Sequence, residues 1–222
     1  MKLAIVGYGK MGRMVEQFAA ESGFTVHSRL DVHDDLMTAK GADVAIEFSA
    51  PHAAIGNIRA LAKAGVPTVV GTTGWLEHLD EARAIVDAAG TGLVWGSNFS
   101  IGVNVFMRVV AEAAKLLKNE PQYGAWSWEI HHNTKKDAPS GTAISLVRAM
   151  QEAGYKRDID QSSNRAGAHP GTHEIGFDSP ADTITLRHTA RSREGFARGA
   201  LKAAQWLPGK KGVFEFKDIV FS

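Results

Sequence analysis

The sequence predicts an α/β chain in two parts. A doubly wound parallel sheet fills the region up to about residue 101, and an α+β region with a mixed or antiparallel sheet follows it. Three observations predict this. Five short apolar runs alternate with amphipathic stretches through Ser100, as strands and crossover helices do. A glycine-rich turn follows the first run at once. Beyond Ile101 the period changes, and later strands alternate apolar with polar residues.

"KLAIV" is the first buried strand. In "GYGKMGRMVEQFAAESG", Met14, Val15, Phe18 and Ala19 share one helical face, and Gly23 stops the helix. "FTVHSRLD" reads as the second strand and "ADVAIEFSAP" as the third, with "HAAIGNIRALAKAG" a helix ending at Gly65. "VPTVVGTTG" is the fourth strand, "LEHLDEARAIVDAAG" a helix and "TGLVWGSNFS" the fifth strand. In the second part, "NVFMRVVAEAAKLL" is a long amphipathic helix, while "YGAWSWEIHH" and "DTITLRHTA" alternate as half-buried strands. The polar run "KRDIDQSSNRAGAHPG" reads as a long mobile loop. "GFARGALKAAQWL" is a helix, "PGKKG" a turn and "VFEFKDIVF" a last strand.

Composition narrows the function. The 222 residues are 44% hydrophobic and 22% charged, with a formal net charge of +1, so no general attraction to nucleic acid or membrane is expected. There is no cysteine, which excludes disulfides, thiolate nucleophiles and Cys-ligated metals. The apolar run in "MKLAIVGYG" is too short for a secretory signal, and no window reaches membrane-spanning length. A soluble, cytoplasmic protein is expected.

Gly7-Tyr8-Gly9-Lys10-Met11-Gly12 is G-x-G-x-x-G between a strand and a helix. The first glycine makes the turn, the second lets backbone approach a pyrophosphate, and the third lets helix pack on strand. The helix start then offers N–H groups to the phosphates. This predicts a Rossmann-type dinucleotide site. Asp31 follows at the end of the second strand, placed to accept from an adenosine ribose. His27, Arg29 and His33 lie beside it and could instead accommodate a 2′-phosphate, so both NADH and NADPH fit. Three more strand ends should line the same crevice: "EFSAP", "GTTG" and "SNFS". Gly71, Thr72 and Thr73 suit a carboxamide, and Phe99, beside Asn98, could pack on a nicotinamide face. Each also suits an ordinary turn.

The densest chemistry lies in "EIHHNTKKDAPSGTAIS". Histidine transfers protons near neutral pH. His131 and His132 point to opposite sides if the strand persists, so only one donates. Ile144, Val147 and Met150 mark a helix, which puts Ser140, Gly141 and Thr142 at its start. Backbone N–H groups, two hydroxyls and the helix dipole form a carboxylate receptor there, and Lys135 adds a full charge. Lys136 reads as a solvated neighbour. Zinc is disfavoured: cysteine is absent, no His-Glu-x-x-His occurs, and the lysine pair would repel a dication. Ser140 lacks a nucleophile-elbow pattern. Farther on, "RAGAHPGTHEIGF" could fold over the site as a lid or remain an exposed polar loop, and "RHTARSREGFARGA" adds basic residues.

Together "GYGKMGR", "GTTG", "NFSIGVN", "EIHHNTKKDAPSGTA", "RAGAHPGTHEIGF" and "HTARSREGFARGA" resemble the dihydrodipicolinate reductase family, in its order and over nearly the whole chain. The histidine–lysine element is highly specific and the glycine turn much less so. The resemblance implies a homotetramer of lysine and diaminopimelate biosynthesis. It implies a dinucleotide-binding domain of residues 1–101 plus 193–222 and a substrate-binding and oligomerisation domain of residues 102–192. NADH or NADPH would reduce a cyclic imine-type dicarboxylate, with loss of water from the hydroxylated precursor. His131 would be the proton donor, Lys135 its cationic partner, and His132, Ser140, Gly141 and Thr142 substrate ligands. The cofactor would meet Gly7, Gly9, Lys10, Met11, Gly12, Asp31, Gly71, Thr73, Asn98, Phe99, Arg193 and Phe196, with no metal. One departure stands out. Only about a dozen residues separate Asp31 from the third strand, where many members carry a longer insertion.

Two other readings share the glycine turn. One is a different Rossmann reductase or dehydrogenase acting on an imine, an amino acid or an aldehyde. The other is a nucleotide sensor without turnover. Neither needs the histidine–lysine element.

Overall fold

The computed structural model describes residues 1–221. In chain order the elements are β1 (Lys2–Val6), α1 (Lys10–Ala19), β2 (Thr25–Leu30), β3 (Val44–Glu47), α2 (Pro51–Lys63), β4 (Thr68–Val70), α3 (Leu79–Ala89) and β5 (Gly92–Trp95). Then come α4 (Ile101–Leu117), β6 (Gly124–His131), α5 (Gly141–Glu152), β7 (Ile159–Arg165), β8 (Thr172–Asp178) and β9 (Thr183–Thr189). The chain closes with α6 (Glu194–Trp206), β10 (Gly212–Glu215) and α7 (Phe216–Ile219). It divides into two compact units, Met1–Ile101 with the segment from Arg193 onward, and Gly102–Ser192.

The first unit carries a six-stranded parallel sheet in the order β10-β5-β4-β3-β1-β2. The central strands are buried on both faces, which is why their sequences read as continuous apolar runs. One core packs Leu3, Ile5, Val15 and Ile46 against Ala200, Leu201 and Phe216 from the returning segment. Ala54, Ile58, Trp75 and Val86 fill a second, on α2 and α3. The expected last strand is shorter than its apolar pattern. β10 ends at Glu215, and Phe216 and Ile219 then enter the core as one helical turn, both buried.

The second unit carries a four-stranded mixed sheet in the order β7-β6-β8-β9. β6 runs parallel to β7 and antiparallel to β8, and β8 antiparallel to β9. Phe106, Val110, Leu146, Met150, Ile175 and Phe177 form its core. Two expectations are corrected here. The polar run expected to be a mobile loop contains β7, an edge strand whose pairing comes from the β6 backbone; its exposed "IDQSSNR" carries no hydrophobic alternation to betray it. The stretch expected to be a lid or exposed loop contains β8, the strand between β6 and β9, with Ile175 and Phe177 fully buried. Among the described residues no helix is long and apolar enough to cross a membrane.

Candidate active site

In the first unit the glycine turn has the geometry its residues require. Gly7 has φ +84°, and a Cβ there would stand 2.0 Å from the Phe48 carbonyl oxygen. A Cβ on Gly12 would stand 2.3 Å from the Gly7 carbonyl oxygen, so α1 approaches the turn as closely as a glycine allows. Gly9 faces open space, and as N-cap of α1 it leaves the first-turn N–H groups without a side-chain cap. Two adjoining cavities of about 430 Å³ and 250 Å³ border this turn. Gly9 and Lys10 line the first, Asn98, Phe99, Arg193 and Phe196 the second, and Met11, Gly71 and Thr73 both. The open backbone at Gly9 and the bare helix start fit a pyrophosphate, and the cavities fit the rest of a dinucleotide.

Not every expected cofactor residue lies on those walls in the same way. Asp31 is exposed just after β2, its Oδ1 accepting from the Val32 N–H. Phe99 is only 2% exposed, and its ring is tilted against Phe216 at 4.7 Å, so it offers a wall more than a free stacking face. Phe48 lines both cavities and was not singled out in the sequence. Its ring lies where any side chain at residue 71 would go, with a Cβ on Gly71 falling 2.0 Å from Phe48 Cε1.

In the second unit β6 alternates, so Ser127, Glu129 and His131 turn inward together while Trp128 and Ile130 face the other way. Glu129 is 1% exposed. Its Oε1 accepts from the Ser140 N–H at 2.9 Å, the Ser163 hydroxyl at 2.9 Å and Arg165 at 2.7 Å. Its Oε2 lies 3.4 Å from His131 Nδ1 and 3.3 Å from His173 Nε2, and the two rings meet edge to face at 5.0 Å. Ser140 caps α5, its hydroxyl accepting from the Ala143 N–H at 3.2 Å and lying 3.1 Å from His173 Nε2. It is 2% exposed, so its place in the site is beneath the helix start; Gly141 is exposed and Thr142 half-buried above it. Lys135 is held by both oxygens of Asp137 at 2.8 and 2.9 Å, and His132 is half-buried with Nδ1 2.7 Å from the Thr134 hydroxyl.

The charges follow from this packing. Burial works to raise the Glu129 carboxyl, but the bonds from Ser140, Arg165 and Ser163 outweigh it and hold it down at about 2. Burial pushes His131 below the usual imidazole value; Glu129 opposes this, while Lys135, Arg165 and His132 add to it. Burial, with His131 next, pushes His173 down to about 4, so it is neutral at neutral pH. Ligand atoms of Glu129, His131 and His173 lie within 4.8 Å of one another, a spacing open to a metal ion. Arg165 already spends its charge on that carboxylate, and Lys135 adds a second cationic influence, so a dication is a poor fit.

Family models decide the relationship. The model described as "Dihydrodipicolinate reductase, N-terminus" matches residues 1–99, and "Dihydrodipicolinate reductase, C-terminus" matches residues 102–220. The chain belongs to the dihydrodipicolinate reductase family. The 4-hydroxy-tetrahydrodipicolinate reductase of Christiangramia forsetii is 37% identical over 235 residues, covering 99% of this chain and 98% of that one. The one from Methanoregula boonei is 34% identical, with 99% and 97% covered. The dipicolinate-bound dihydrodipicolinate reductase from Paenisporosarcina sp. TG-14 has the same fold, with a TM-score of 0.82 at 20% identity and 99% of each chain covered. A probable dehydrogenase from Thermotoga maritima shares the fold less closely, with a TM-score of 0.60 at 10% identity.

In this family member the second unit brings together residues that are far apart in the sequence. Glu129, Arg165 and His173 surround His131, and none of the three was singled out beforehand. Glu129 had a signal: an acid two residues before a histidine on an alternating strand shares its face. Arg165 and His173 lie in the basic, histidine-bearing stretch "RAGAHPGTHEIGF", but their meeting with Glu129 was not legible there, because they arrive from β7 and β8 through long-range pairing.

Proposed function

We propose that the chain reduces 4-hydroxy-tetrahydrodipicolinate to tetrahydrodipicolinate with NADH or NADPH, in lysine and diaminopimelate biosynthesis. The observation that carries this is the second unit's cluster: an inward histidine, a held lysine and a capped helix start within one loop of chain. A dianionic ring substrate needs those groups. Bound NADH or NADPH supplies the hydride. The backbone of Gly7, Gly9, Lys10, Met11 and Gly12 would hold its pyrophosphate, Asp31 its adenosine ribose, and Gly71, Thr73, Asn98, Phe99, Arg193 and Phe196 its nicotinamide end.

His131 gives a proton to the enamine carbon left by reduction, and Lys135 stands as the cation beside it. Gly141 and Thr142 offer the α5 N-terminus to a substrate carboxylate, with Ser140 fixing that helix start and His132 a further contact. Residues 1–101 and 193–222 serve the dinucleotide, and residues 102–192 the substrate and the assembly. A homotetramer is supported by Trp126, Trp128 and Ile130, half-buried along one face of β6 and suited to cover by another copy. The cytoplasm suits a chain without cysteine.

The direct test is turnover with enzymatically generated substrate and either reduced dinucleotide. Consumption of NADH or NADPH that depends on the substrate is expected. No consumption with either would overturn the reading, and a comparison of kcat/KM for the two settles the preference.

A further inference from the structure

Among the described residues, Glu129 Oε2 and His131 Nδ1, both buried in the second unit, have no hydrogen-bond partner, and they face each other at 3.4 Å. A buried carboxylate oxygen left unpaired is costly, as is a buried ring nitrogen. A single proton on Nδ1, shared across that gap, serves both. Glu129 cannot turn away, because Ser140, Ser163 and Arg165 all hold its other oxygen. The nitrogen on the far side of the ring, Nε2, lies beside Gly171, 3.0 Å from where a Cβ would stand.

We infer that Glu129 is a positioning residue for the proton donor: its Oε2 takes the Nδ1–H of His131, so that Nε2 is the nitrogen that protonates the substrate. This rests on the reductase reading above. A buried carboxylate of this kind holds an imidazole in one tautomer and stabilises the ring while it is charged. The step balances simply. The Nε2–H bond breaks as the carbon–hydrogen bond forms on the reduced substrate, the ring returns to its neutral Nδ1–H form, and solvent returns a proton to Nε2.

The other charges around His131 make Glu129 necessary. From β7 comes Arg165, from the loop after β6 comes Lys135, from just past β6's end His132, and from β8 His173. His188 on β9 acts on His173 in turn. All are cationic or neutral. Asp137, the other acid nearby, is committed to Lys135. Glu129 is thus the anion that favours a charged His131 ring in the free protein. A bound dicarboxylate would add negative charge beside Lys135 and draw the ring toward its protonated form. His173 is neutral and lies 3.3 Å from the same oxygen, so it leaves the Glu129 charge intact.

The test is NMR of the His131 ring in the substrate-free full chain, assigned with His131→Gln. Ring ¹⁵N shifts of the wild type at neutral pH should show the Nδ1–H tautomer. In Glu129→Gln the titration midpoint of His131 should fall by about one pH unit or more, and Glu129→Asp should restore part of it. In turnover, Glu129→Gln should lower kcat by on the order of a hundredfold with KM for the reduced dinucleotide unchanged. A wild-type Nε2–H tautomer, or an unmoved midpoint in Glu129→Gln, overturns the inference. The tautomer is read in the wild type, so a variant that fails to fold does not remove the test. The ring measurements need no turnover, so they stand apart from whether the chain reduces this substrate.

Discussion

The ammonium group of Lys135 is held between both carboxylate oxygens of Asp137, at 2.8 and 2.9 Å. The cation is therefore positioned before any ligand arrives, on the loop that leads from His131 to the capped start of α5. On the proposed reading a substrate carboxylate would compete with Asp137 for it, and the ion pair is exposed enough to yield, since the Asp137 side chain is 57% exposed.

Removing either half of this arrangement should separate acid catalysis from binding. His131→Gln and Lys135→Ala should each cut kcat by about a hundredfold or more. Lys135→Ala should also raise the substrate KM, whereas His131→Gln should leave it close to wild type. Steady-state kinetics at fixed dinucleotide reads both. Near-normal rates in the two variants would refute the assignment.

A side chain at Gly171 would crowd the His131 ring. The glycine's φ is +134°, and a Cβ would stand 3.0 Å from His131 Nε2 and 3.1 Å from Cδ2. Gly171→Ala is expected to displace the ring and lower kcat by about tenfold, and separately to destabilise the fold by an overpacking cost on the order of 1–3 kcal/mol. Dinucleotide binding should be untouched. A variant with full kcat would show that the proton leaves by another route.

The burial of neutral His173 sets a pH dependence of stability. Its ring titrates at about 4 in the fold against the ordinary 6.5 when unfolded. Between those values the unfolded chain binds a proton that the fold refuses, so stability is complete above about pH 6.5 and falls as the pH drops toward 4. The whole effect is on the order of 3 kcal/mol. Glu129, held at about 2 in the fold against 4.5 in the unfolded chain, adds its own loss from about pH 4.5 downward, at the acid end of that window. Thermal unfolding followed from pH 7 to 5 should show the decline, and His173→Asn should lessen it, leaving the smaller share of the buried His131 and His188 rings. Equal slopes in both proteins would count against a neutral buried ring.

In the first unit, Gly71 keeps the Phe48 ring in the wall of both cavities. A Cβ at residue 71 would lie 2.0 Å from Phe48 Cε1, so Gly71→Ala must push the ring aside. The expected result is an approximately tenfold rise in KM for the reduced dinucleotide, about 1.4 kcal/mol, with the dicarboxylate KM unchanged. Fluorescence titration of NADH without substrate would show the same loss. An unchanged affinity would place the dinucleotide elsewhere on this unit.

Much of this protein was legible in its residues. β1, β3, β4 and β5 are buried on both faces, so each had to be a short unbroken apolar run, and the glycine turn had to follow the first. The sequence by itself also determined that His131 and Lys135 lead to a helix start, because those groups lie within one short stretch of chain. Tertiary structure decided the rest. β7 is polar and largely exposed, and its pairing with the β6 backbone makes it a strand. The surroundings of His131 depend on pairing of the same kind. Arg165 reaches Glu129 across 36 residues because β7 lies parallel to β6, and His173 stands directly opposite Glu129 in the β6–β8 register. Local residue patterns record which face is buried. They do not record which strand lies alongside, and that neighbour decides which further charges stand around His131 and Glu129.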